Sequence, residues 1–561
     1  MMNERERRDF NAGLSEEVDA WLQGDTSRRS FLTKFMLLGG AAMLPGLGWT
    51  ATGSEAWADM VDLSKVELAD KSTPLGQAQD AAVKASTEGP TDSSAYRAVQ
   101  AAQAYKDKNV TLNMTYEAGL QALEPKNFSG PLWQSLTGIS YNVVELPHPD
   151  QYSKPIAEHI ANSGAYDILD IEPAWLPSLA NGGVIIPIDD YVSKYMNPAD
   201  LEDYHPLFKT MPTYKGKRWG FFDDGDQFAL YYRKDIFEDP KLMAAYQAKF
   251  GKPLAVPATW DDYSQTAQFI TDQMAPNVYG AAHFRKFGSP GNQFSFLQEY
   301  RANGGKFFDE NTFASLIAGP EGLATLKQMI AQNNASIPGN NDLDAVAVWV
   351  AWLQGKVAMI FSWPPTGRMT ENYSQRSKSI NFVPQSVIAG KAGYAPVPGG
   401  NGEHAIGFVK AIAAGSNAEE AAYLYAQWTT SPQLSLARVM LPYTLRDPYR
   451  IAHYTSPLYR SLWPAAKDYL INLANCANGG VIDLTMPGWQ DFALSLDRMC
   501  TAVWGGEDPQ EALNKAAAEW DATNQRLGVD VQKAAYEQFK QLPGSYADHT
   551  VEKMGNAVHL E

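Results

Sequence analysis

Polar and aromatic residues follow three predicted strands of this 561-residue sequence. Tyr116 and Glu117 come after the first strand, His148 after the second, and Glu172 and Trp175 after the third. In an open α/β sheet, side chains at the carboxyl ends of neighbouring strands meet at one edge, where ligands bind. Carboxylates and an imidazole can hydrogen-bond to hydroxyl groups, and aromatic rings can stack on C–H faces. These residues therefore predict a binding site for a hydroxylated small molecule.

A second group of acids lies in the segment DDGD, which places Asp223, Asp224 and Asp226 within four positions. Crowded carboxylates can bind sugar hydroxyls, ligate a cation, or serve as the acid and nucleophile of a glycosidase. The neighbouring sequence lacks the further oxygen ligands of a calcium loop, which disfavours a metal. Asp224 and Asp226 are therefore candidate ligand-binding acids, with a glycosidase pair or a solvated acidic turn as alternatives.

Alternating strands and helices must position these side chains. The apolar pattern predicts strands at 109–116, 141–146 and 166–171, with helices at 131–136 and 150–162 between them. Units of this kind build parallel sheets, because a crossover helix returns the chain to the same edge. The expected fold class is therefore α/β.

The second half of the chain is richer in helix. Thr259 is the expected N-cap of one helix, because its hydroxyl can accept a backbone hydrogen bond and two aspartates follow in the first turn. Residues 344–354 are apolar on most faces and predict a buried helix that leads into a strand at 356–361. Glycine and proline are concentrated at 393–402, which predicts a turn and linker before a strand at 405–414.

Residues 1–58 have the pattern of an export signal. The basic segment SRRSFLTK, with Arg28 and Arg29, precedes an uncharged run at 35–49 and an Ala-Trp-Ala site that ends at Ala58. The run is shorter than the about 20 residues of a membrane-spanning helix, so a cleavable signal is favoured over an anchor. The arginine pair is typical of twin-arginine export. We therefore expect the Tat translocase as a partner, cleavage after Ala58 and a soluble periplasmic product.

Composition disfavours several classes of partner and cofactor. The net charge of −17 and the lack of a Lys/Arg cluster disfavour nucleic acid and anionic membranes. Cys476 and Cys500 are too few for a four-thiolate iron–sulfur cluster, and they form either a disulfide or two buried thiols. Dinucleotide, metalloprotease and serine-hydrolase motifs are absent from the sequence. No cofactor or metal is expected, and the chain is not expected to be an enzyme.

Four longer segments, in order along the chain, are similar to passages of one protein family. They are YDILDIEPAWLPSLANGGVIIPIDDY (166–191), WGFFDDGDQFALYYRKDIF (219–237), PATWDD (257–262) and QGKVAMIFSW (354–363). The corresponding family passages are G-L-L-x-P-L-D, a hinge strand ending in Y-Y-N-K-D-L-F, P-x-T-W-D-[ED] and G-K-A-A-M. The chain thus resembles the family 1 extracellular solute-binding proteins of ABC importers, which include maltose-binding protein, over residues 110–520.

The resemblance implies a two-lobed periplasmic-binding-protein fold, type II-like, with a ligand cleft between lobes joined by hinge strands. Such a protein captures its solute by closing the lobes around it, acts as a monomer and delivers the solute to the permease subunits of the transporter. The lead-in before the first lobe is expected to be loose and partly helical. The expected division is signal peptide and leader 1–58, lead-in 59–108, first lobe 109–224 with 403–448, second lobe 225–402 with 449–527, and tail 528–561.

The same resemblance assigns further residues to the site. Asp226 stands six residues before Tyr232, where maltose-binding-like proteins have an acid that contacts sugar, and Asp224 is its neighbour. Trp363 ends a strand where the family often has a stacking aromatic ring. Trp489 lies in the late cleft segment of the family. Core packing is the alternative for both tryptophans.

A second-lobe loop and a late segment complete the expected site. His283, Arg285 and Asn292 fall in YGAAHFRKFGSPGN, a loop that the resemblance places facing the cleft. A structural role is the alternative for the histidine. Arg446 follows LPYTL, which resembles the family's L-P-x-R region with the arginine displaced.

The expected ligand is a neutral carbohydrate or polyol, because the expected cleft loops carry more acids than arginines and an anion requires the reverse. Arg285, Arg368 and Arg446 keep a sugar or glycerol phosphate as an alternative. A further alternative is an exported enzyme, either a cofactor oxidoreductase of the kind that twin-arginine export commonly serves or a glycosidase.

Overall fold

The computed structural model describes residues 62–380, 383–399 and 404–561 of the chain. The expected signal peptide and leader, 1–58, lie outside the described residues, as does part of the expected linker at 393–402. The described strands form two larger sheets, and helices pack around each of them. The molecule therefore has a two-lobed α/β fold, as the sequence predicted.

The bounds of the elements are as follows. The described strands are β1 Thr111–Glu117, β2 Ser140–Leu146, β3 Ile168–Ile171, β4 Thr213–Tyr214, β5 Lys217–Arg218, β6 Gly220–Phe222, β7 Ala229–Arg233, β8 Tyr279–Ala281, β9 Val357–Ser362, β10 Ala392–Ala395, β11 His404–Ala405, β12 Val409–Ile412 and β13 Val481–Ile482. The described α-helices are α1 Pro74–Thr87, α2 Ser94–Ala102, α3 Leu120–Glu124, α4 Gly130–Thr137, α5 His148–Ala161, α6 Leu176–Asn181, α7 Asp189–Tyr195, α8 Ala199–Glu202, α9 Pro206–Thr210, α10 Lys234–Phe237, α11 Pro240–Phe250, α12 Trp260–Met274, α13 Gly291–Ala302, α14 Pro320–Asn334, α15 Ala345–Leu353, α16 Pro365–Thr370, α17 Glu419–Thr430, α18 Pro432–Val439, α19 Ile451–Thr455, α20 Pro457–Arg460, α21 Ala466–Gly479, α22 Trp489–Trp504, α23 Pro509–Leu527 and α24 Val529–Lys540.

The sheet of the first lobe has the strand order β2-β1-β3-β12-β6. β1 pairs in parallel with β2 and β3, whereas β12 runs antiparallel to β3 and β6. The chain therefore returns to the first lobe with β12 after it has built the second sheet. Since β1, β2 and β3 end at the same edge, that edge brings Glu117, His148 and Glu172 together.

The sheet of the second lobe has the strand order β10-β7-β9-β8. β7 pairs antiparallel with β10 and β9, and β8 pairs in parallel with β9. The buried helix predicted at 344–354 is α15, which Asp344 caps by accepting a hydrogen bond from the Ala347 amide at 3.1 Å. It leads into β9, and the end of β9 places Trp363 at the cleft.

The predicted cap of α12 is confirmed. The Thr259 hydroxyl accepts a hydrogen bond from the Asp262 amide at 3.1 Å, and Asp261 and Asp262 occupy the first turn. The strands predicted in the first half are present as β1, β2 and β3. The capping signal at Thr259 thus marked the start of α12 correctly.

Two predictions around residue 400 were wrong. Residues Ala392–Ala395 are not part of a turn but form β10, because they add to the edge of β7. The single strand predicted at 405–414 is two short strands, β11 and β12. Gly407 lies between them with a φ of +83°, a left-handed conformation that breaks a strand.

The chain passes between the lobes in segments that lie side by side. The segment after β6 is hydrogen-bonded to the segment before β12: the Asp223 amide donates to the Phe408 carbonyl at 2.8 Å, and the Ile406 amide donates to the Asp226 carbonyl at 3.0 Å. A later segment joins them, because the Gly225 amide donates to the Asp447 carbonyl at 3.1 Å. These three segments form the hinge.

Glycine is required at two hinge positions because backbones approach closely there. A Cβ on Gly225 would lie 1.9 Å from the carbonyl oxygen of Pro448. A Cβ on Gly407 would lie 1.8 Å from the carbonyl oxygen of Asp224. Any side chain at either position would push the hinge segments apart.

The lead-in was expected to be loose and partly helical. It is helical but not loose, because its two helices pack on the first lobe. α1 packs on α18, and α2 packs on α17. The Trp428 indole donates a hydrogen bond to the Ser86 hydroxyl at 2.9 Å, and the Gln427 amide donates to the Ser94 carbonyl at 2.9 Å. Small buried residues such as Ala98, which is fully buried, allow the helices to approach closely. The polar composition of the segment gave no indication of this packing.

The tail continues the second lobe. α24 packs on α23, and its Tyr536 and Phe539 rings contact Phe308 and Phe307. Cys476 and Cys500 are both buried thiols with no disulfide between them. In the part of the chain that the structure describes, no helix has both the length and the apolar character needed to cross a membrane.

Candidate functional site

A cleft with a volume of about 620 Å³ lies between the two lobes. The first lobe contributes Glu117, His148 and Glu172, the hinge contributes Asp226, and the second lobe contributes Trp363. Small-molecule sites usually enclose about 300–1,000 Å³. The cleft is therefore the candidate binding site.

An ion pair occupies the wall of the first lobe. His148 begins α5 and Glu172 follows β3, and Nε2 of His148 lies 2.6 Å from Oε1 of Glu172. Burial by itself would lower the pKa of His148, but the charge of Glu172 and its hydrogen bond outweigh burial and raise the pKa to about 9. His148 is therefore cationic at neutral pH. The ring of Trp175 lies 5.5 Å from the imidazole, between centroids, and supports it from behind.

Glu117 ends β1 and lines the cleft with a half-buried side chain. Burial raises the pKa of its carboxyl group, while His148 lowers it and Glu172 raises it. Among the described residues, the Glu117 carboxylate makes no hydrogen bond or ion pair. It is therefore available to a ligand.

The hinge places a buried carboxyl group on the cleft floor. Asp226 is 7% exposed, and one carboxylate oxygen each of Asp224, Asp226 and Asp447 lies within 4.8 Å of the others. Burial, followed by the repulsion of Asp224 and Asp447, raises the pKa of Asp226 well above its usual range. The protonated Asp226 can then donate a hydrogen bond to Asp447.

A buried ion network supports this floor from below. Nη2 of Arg446 lies 2.7 Å from Oδ2 of Asp170, and the same guanidinium reaches Asp223 at 3.5 Å and Asp224 at 3.6 Å. Since arginines already contact the floor carboxylates, a metal ion there would have to compete with them. The network consists of Glu124, Asp170, Asp223, Asp224 and Asp447 with Arg368, Lys410, Arg438 and Arg446.

Aromatic side chains form the opposite wall, on the second lobe. The ring of Trp363 stacks on Phe284, with centroids 4.9 Å apart and planes at 24°, so one face of the indole is held by protein. Trp349 lies beside it, and its indole nitrogen donates to the Ser362 hydroxyl at 2.9 Å. Phe294 adds a third ring to the wall. This wall offers rigid apolar surface to a ligand.

Some predicted residues lie beneath the cleft instead of on it. Tyr116 is fully buried, and its hydroxyl accepts a hydrogen bond from Nζ of Lys410 at 2.9 Å. Asp224 and Arg446 belong to the buried network, and Trp175 packs behind His148. The side chains of these four residues point into the first lobe.

His283 and Trp489 lie in the core of the second lobe and not on the cleft wall. His283 is held between the Tyr263 hydroxyl at 3.1 Å and the Ser336 hydroxyl at 3.0 Å, and burial lowers its pKa well below the usual range. Trp489 begins α22 and is 2% exposed. Their positions agree with the alternatives given above, a structural role for the histidine and core packing for the tryptophan.

Arg285 and Asn292 also make protein contacts away from the cleft wall. Nη2 of Arg285 donates to Oε1 of Gln332 at 3.1 Å. Nδ2 of Asn292 donates to Oδ1 of Asp497 at 2.8 Å. Both side chains are fully buried, and their hydrogen bonds are made to residues of the second lobe.

Sequence reasoning missed part of the wall. Gln121, Phe294, Trp349 and Phe408 all line the cleft but were not predicted. Trp349 stands in an apolar helix whose pattern indicates only burial. Gln121 follows β1 closely, so the rule that polar residues after a strand face the ligand could have found it.

A two-lobed α/β fold with a polar and aromatic cleft at its hinge is the architecture of a solute-binding protein. The sequence model of the family described as bacterial extracellular solute-binding protein matches residues 113–434, more than half of the chain. The chain therefore belongs to this family, as its resemblance predicted.

The chain is also similar to a curated relative and to solved structures. A probable amino-acid ABC transporter periplasmic-binding protein of Sinorhizobium fredii is 22% identical over 314 residues, which are 53% of this chain and 64% of that protein. A solute-binding protein of Agrobacterium radiobacter, solved with ribitol, has a TM-score of 0.61 at 22% identity, over 73% of this chain and 98% of the other. Maltose-bound MalE3 of T. maritima has a TM-score of 0.59 at 20% identity, over 73% and 98%. These structures share the fold.

Proposed function

We propose that this protein is the substrate-binding component of an ABC importer and captures a carbohydrate or polyol by closing its lobes. The observation that carries the proposal is the contrast between the two walls of the cleft. Carboxylates and an imidazole on the first lobe and hinge can bind hydroxyl groups, and the rings of Trp363, Trp349 and Phe294 can pack on C–H faces. Hydroxylated rings and chains present these two kinds of surface.

Ligands of similar folds support the same class. The Agrobacterium radiobacter protein was solved with ribitol, a related protein of Agrobacterium vitis with D-mannitol, and MalE3 with maltose. Because these proteins share the fold at low identity, they indicate the kind of ligand and not its identity.

The phosphate alternative is disfavoured by the position of the arginines. Arg285, Arg368 and Arg446 are all fully buried and bonded to protein groups, and none lines the cleft. The described cations on the cleft wall are Lys126, which is paired with Glu145, and His148, which is paired with Glu172. A phosphate group would therefore lack an unpaired cationic partner.

A thermal-shift screen tests the proposal, because a ligand that binds the folded state raises its stability by RT ln(1 + [L]/Kd). The panel contains mono- and disaccharides, polyols, their phosphates and amino acids, the last because of the Sinorhizobium relative. We expect shifts with sugars or polyols and none with phosphates. Shifts with amino acids alone, or with phosphates alone, would contradict the proposal.

Export and delivery belong to the same proposal. The protein would leave the cytoplasm by the twin-arginine route, lose residues 1–58, and hand its solute to permease subunits as a monomer without performing catalysis. Replacing Arg28 and Arg29 by lysine is expected to leave folded, ligand-competent protein in the cytoplasm. Normal export of that double variant, measured by cell fractionation, would contradict the route.

A further inference from the structure

Acidic residues outnumber cationic residues on the cleft wall. Among the described residues that line it, five are acids and two are cations. Three of the acids have a cationic partner. Lys126 pairs with Glu145, His148 pairs with Glu172, and Lys286 lies 3.1 Å from Asp344 at the rim.

Two cleft acids, Glu117 and Asp226, remain without a cation of their own. The Glu117 carboxylate makes no ion pair with any described side chain, and His148, the cation that lowers its pKa, is already paired with Glu172. Asp226 faces Asp224 and Asp447, and no described cation forms an ion pair with it. One of these acids stands on the first lobe and the other in the hinge, so they frame the polar side of the cleft.

The network below the floor has no spare positive charge for them. Its members are five acids and four cations, and Arg446 is bonded to Asp170 at 2.7 Å. Burying a carboxylate without a partner is costly, and the usual remedies are protonation or a cation supplied from outside. The cleft is therefore built to receive positive charge.

The opposite wall suits a cation as well. An ammonium group is attracted to the face of an indole ring, more strongly when both are shielded from water. One face of Trp363 is covered by Phe284, and Trp349 lies next to it. Acids on one side and indoles on the other enclose the space that a ligand would fill.

We propose that the preferred ligand is a hydroxylated amine, an amino sugar or an aminated polyol, whose ammonium group pairs with Glu117, or with Asp226 after Asp226 releases its proton to solvent, while the C–H face of the ligand packs on Trp363. The inference rests on the proposed carbohydrate function and narrows it. A charge-assisted hydrogen bond is about twice as strong as a neutral one, so the amine gains affinity that a hydroxyl in the same place lacks.

Matched ligand pairs test this inference by isothermal titration at pH 7. Glucosamine is compared with glucose, and 1-amino-1-deoxysorbitol with sorbitol, while N-acetylglucosamine keeps the sugar ring and the nitrogen but carries a larger, uncharged substituent. We expect the amine of at least one pair to bind about tenfold more tightly than its neutral partner. Equal or weaker binding of both amines, with measurable binding of the neutral sugars, would overturn the inference and leave the proposed function intact. Failure of every sugar and polyol, charged or neutral, would contradict the proposed function itself.

Two variants locate the ammonium group. In Glu117→Gln or in Asp226→Asn, the Kd of the neutral ligand divided by the Kd of its amine is expected to fall about tenfold. The reason is that the substitution removes the negative charge and keeps the shape of the side chain. A general loss of structure would weaken both ligands equally and leave the ratio unchanged. Glu88→Gln, which removes the same charge from an exposed position in the lead-in, is the control and is expected to keep the ratio. An unchanged ratio in both cleft variants, with the neutral ligand bound as tightly as by the unmodified protein, would contradict the assignment.

Discussion

The two walls of the cleft are built in opposite ways. The first lobe and hinge present carboxyl groups and an imidazole, and these rest on a buried network of acids, arginines and lysine. The second lobe presents the rings of Trp363, Trp349 and Phe294, and these rest on further aromatic side chains such as Phe284. One wall is therefore held by charge and the other by packing.

The difference shows why each wall needs its own kind of support. A carboxylate near a cleft keeps its position only if the polar atoms behind it are paired, because unpaired buried charge is costly. An indole keeps its position through contact with neighbouring rings. Substitutions behind the first wall should therefore change the stability of the protein and its dependence on pH. Substitutions in the second wall should change the area of contact with the ligand and so its affinity.

The largest effect is expected from removing the charge support of the first wall. Arg446→Met leaves Asp170, Asp223 and Asp224 without their shared cation in a fully buried position. We expect the free energy of unfolding in urea to fall by about 3–5 kcal/mol. Arg498→Met, which breaks an exposed pair with Glu519, is the control and should change it by at most about 1 kcal/mol. Equal effects of the two variants would contradict the role given to the network.

The ion pair on the first wall should give a pH-dependent contribution. The folded pKa of His148, about 9, lies above its ordinary value of 6.5. The pair therefore contributes its full stability below pH 6.5 and loses it as the pH rises through about 9. His148→Gln should lower the free energy of unfolding by about 2–3 kcal/mol at pH 6 and by much less at pH 10. A pH-independent loss would show that packing on Trp175 dominates.

The second wall should respond through ligand affinity. Trp363→Ala removes the exposed indole face, and we expect the Kd for the best sugar or polyol of the screen to rise about 10–100-fold. Trp363→Phe should recover part of the loss because a smaller ring remains. Trp489→Phe, off the cleft, is the matched control and should leave the Kd nearly unchanged. A Trp489 variant that weakens binding as much as the Trp363 variant would mean that the wall is wrongly assigned.

The smallest effect is expected at Asp226 on the cleft floor. There a substitution should stabilise the protein, whereas the substitutions at Arg446 and His148 should destabilise it. The folded pKa of Asp226 is raised, so this carboxyl group is favourable at low pH and becomes costly as the pH rises above its ordinary value of 3.8. Asp226→Asn supplies a neutral group that can still donate to Asp447. We expect it to raise the free energy of unfolding by about 1–2 kcal/mol at pH 8 and by less at pH 4. Destabilisation at pH 8 would show that the carboxylate is needed in its charged form.

Part of the site was predictable from the sequence. Glu117 and Glu172 were found because they follow strands, and Asp226 and Trp363 were found through the family resemblance, and all four line the cleft. Their part in binding stays a prediction. Residues that directly follow parallel strands are good candidates because these strands end at the same edge of the sheet, where ligands bind.

The other predicted residues lie off the cleft wall for a physical reason. The rule gives the position of a residue along the chain but not the side to which its side chain points. Tyr116 and Glu117 are neighbours on β1, yet Tyr116 is fully buried and Glu117 faces the cleft, because successive side chains of a strand alternate. His283, Arg285 and Asn292 lie in the expected loop but are bonded to the second lobe.

The sequence alone determined the α/β class, the family and the elements with strong local signals, such as the Thr259 cap and the strand that ends at Glu117. These depend on hydrophobic period and capping chemistry, which are local. Only the tertiary structure decided that Asp447 meets Asp224 and Asp226, or that Arg446 supports them from below. Those contacts join residues more than 200 positions apart, and no local pattern encodes them. The charge balance of the cleft, and with it the expected preference for an amine, follows from that arrangement.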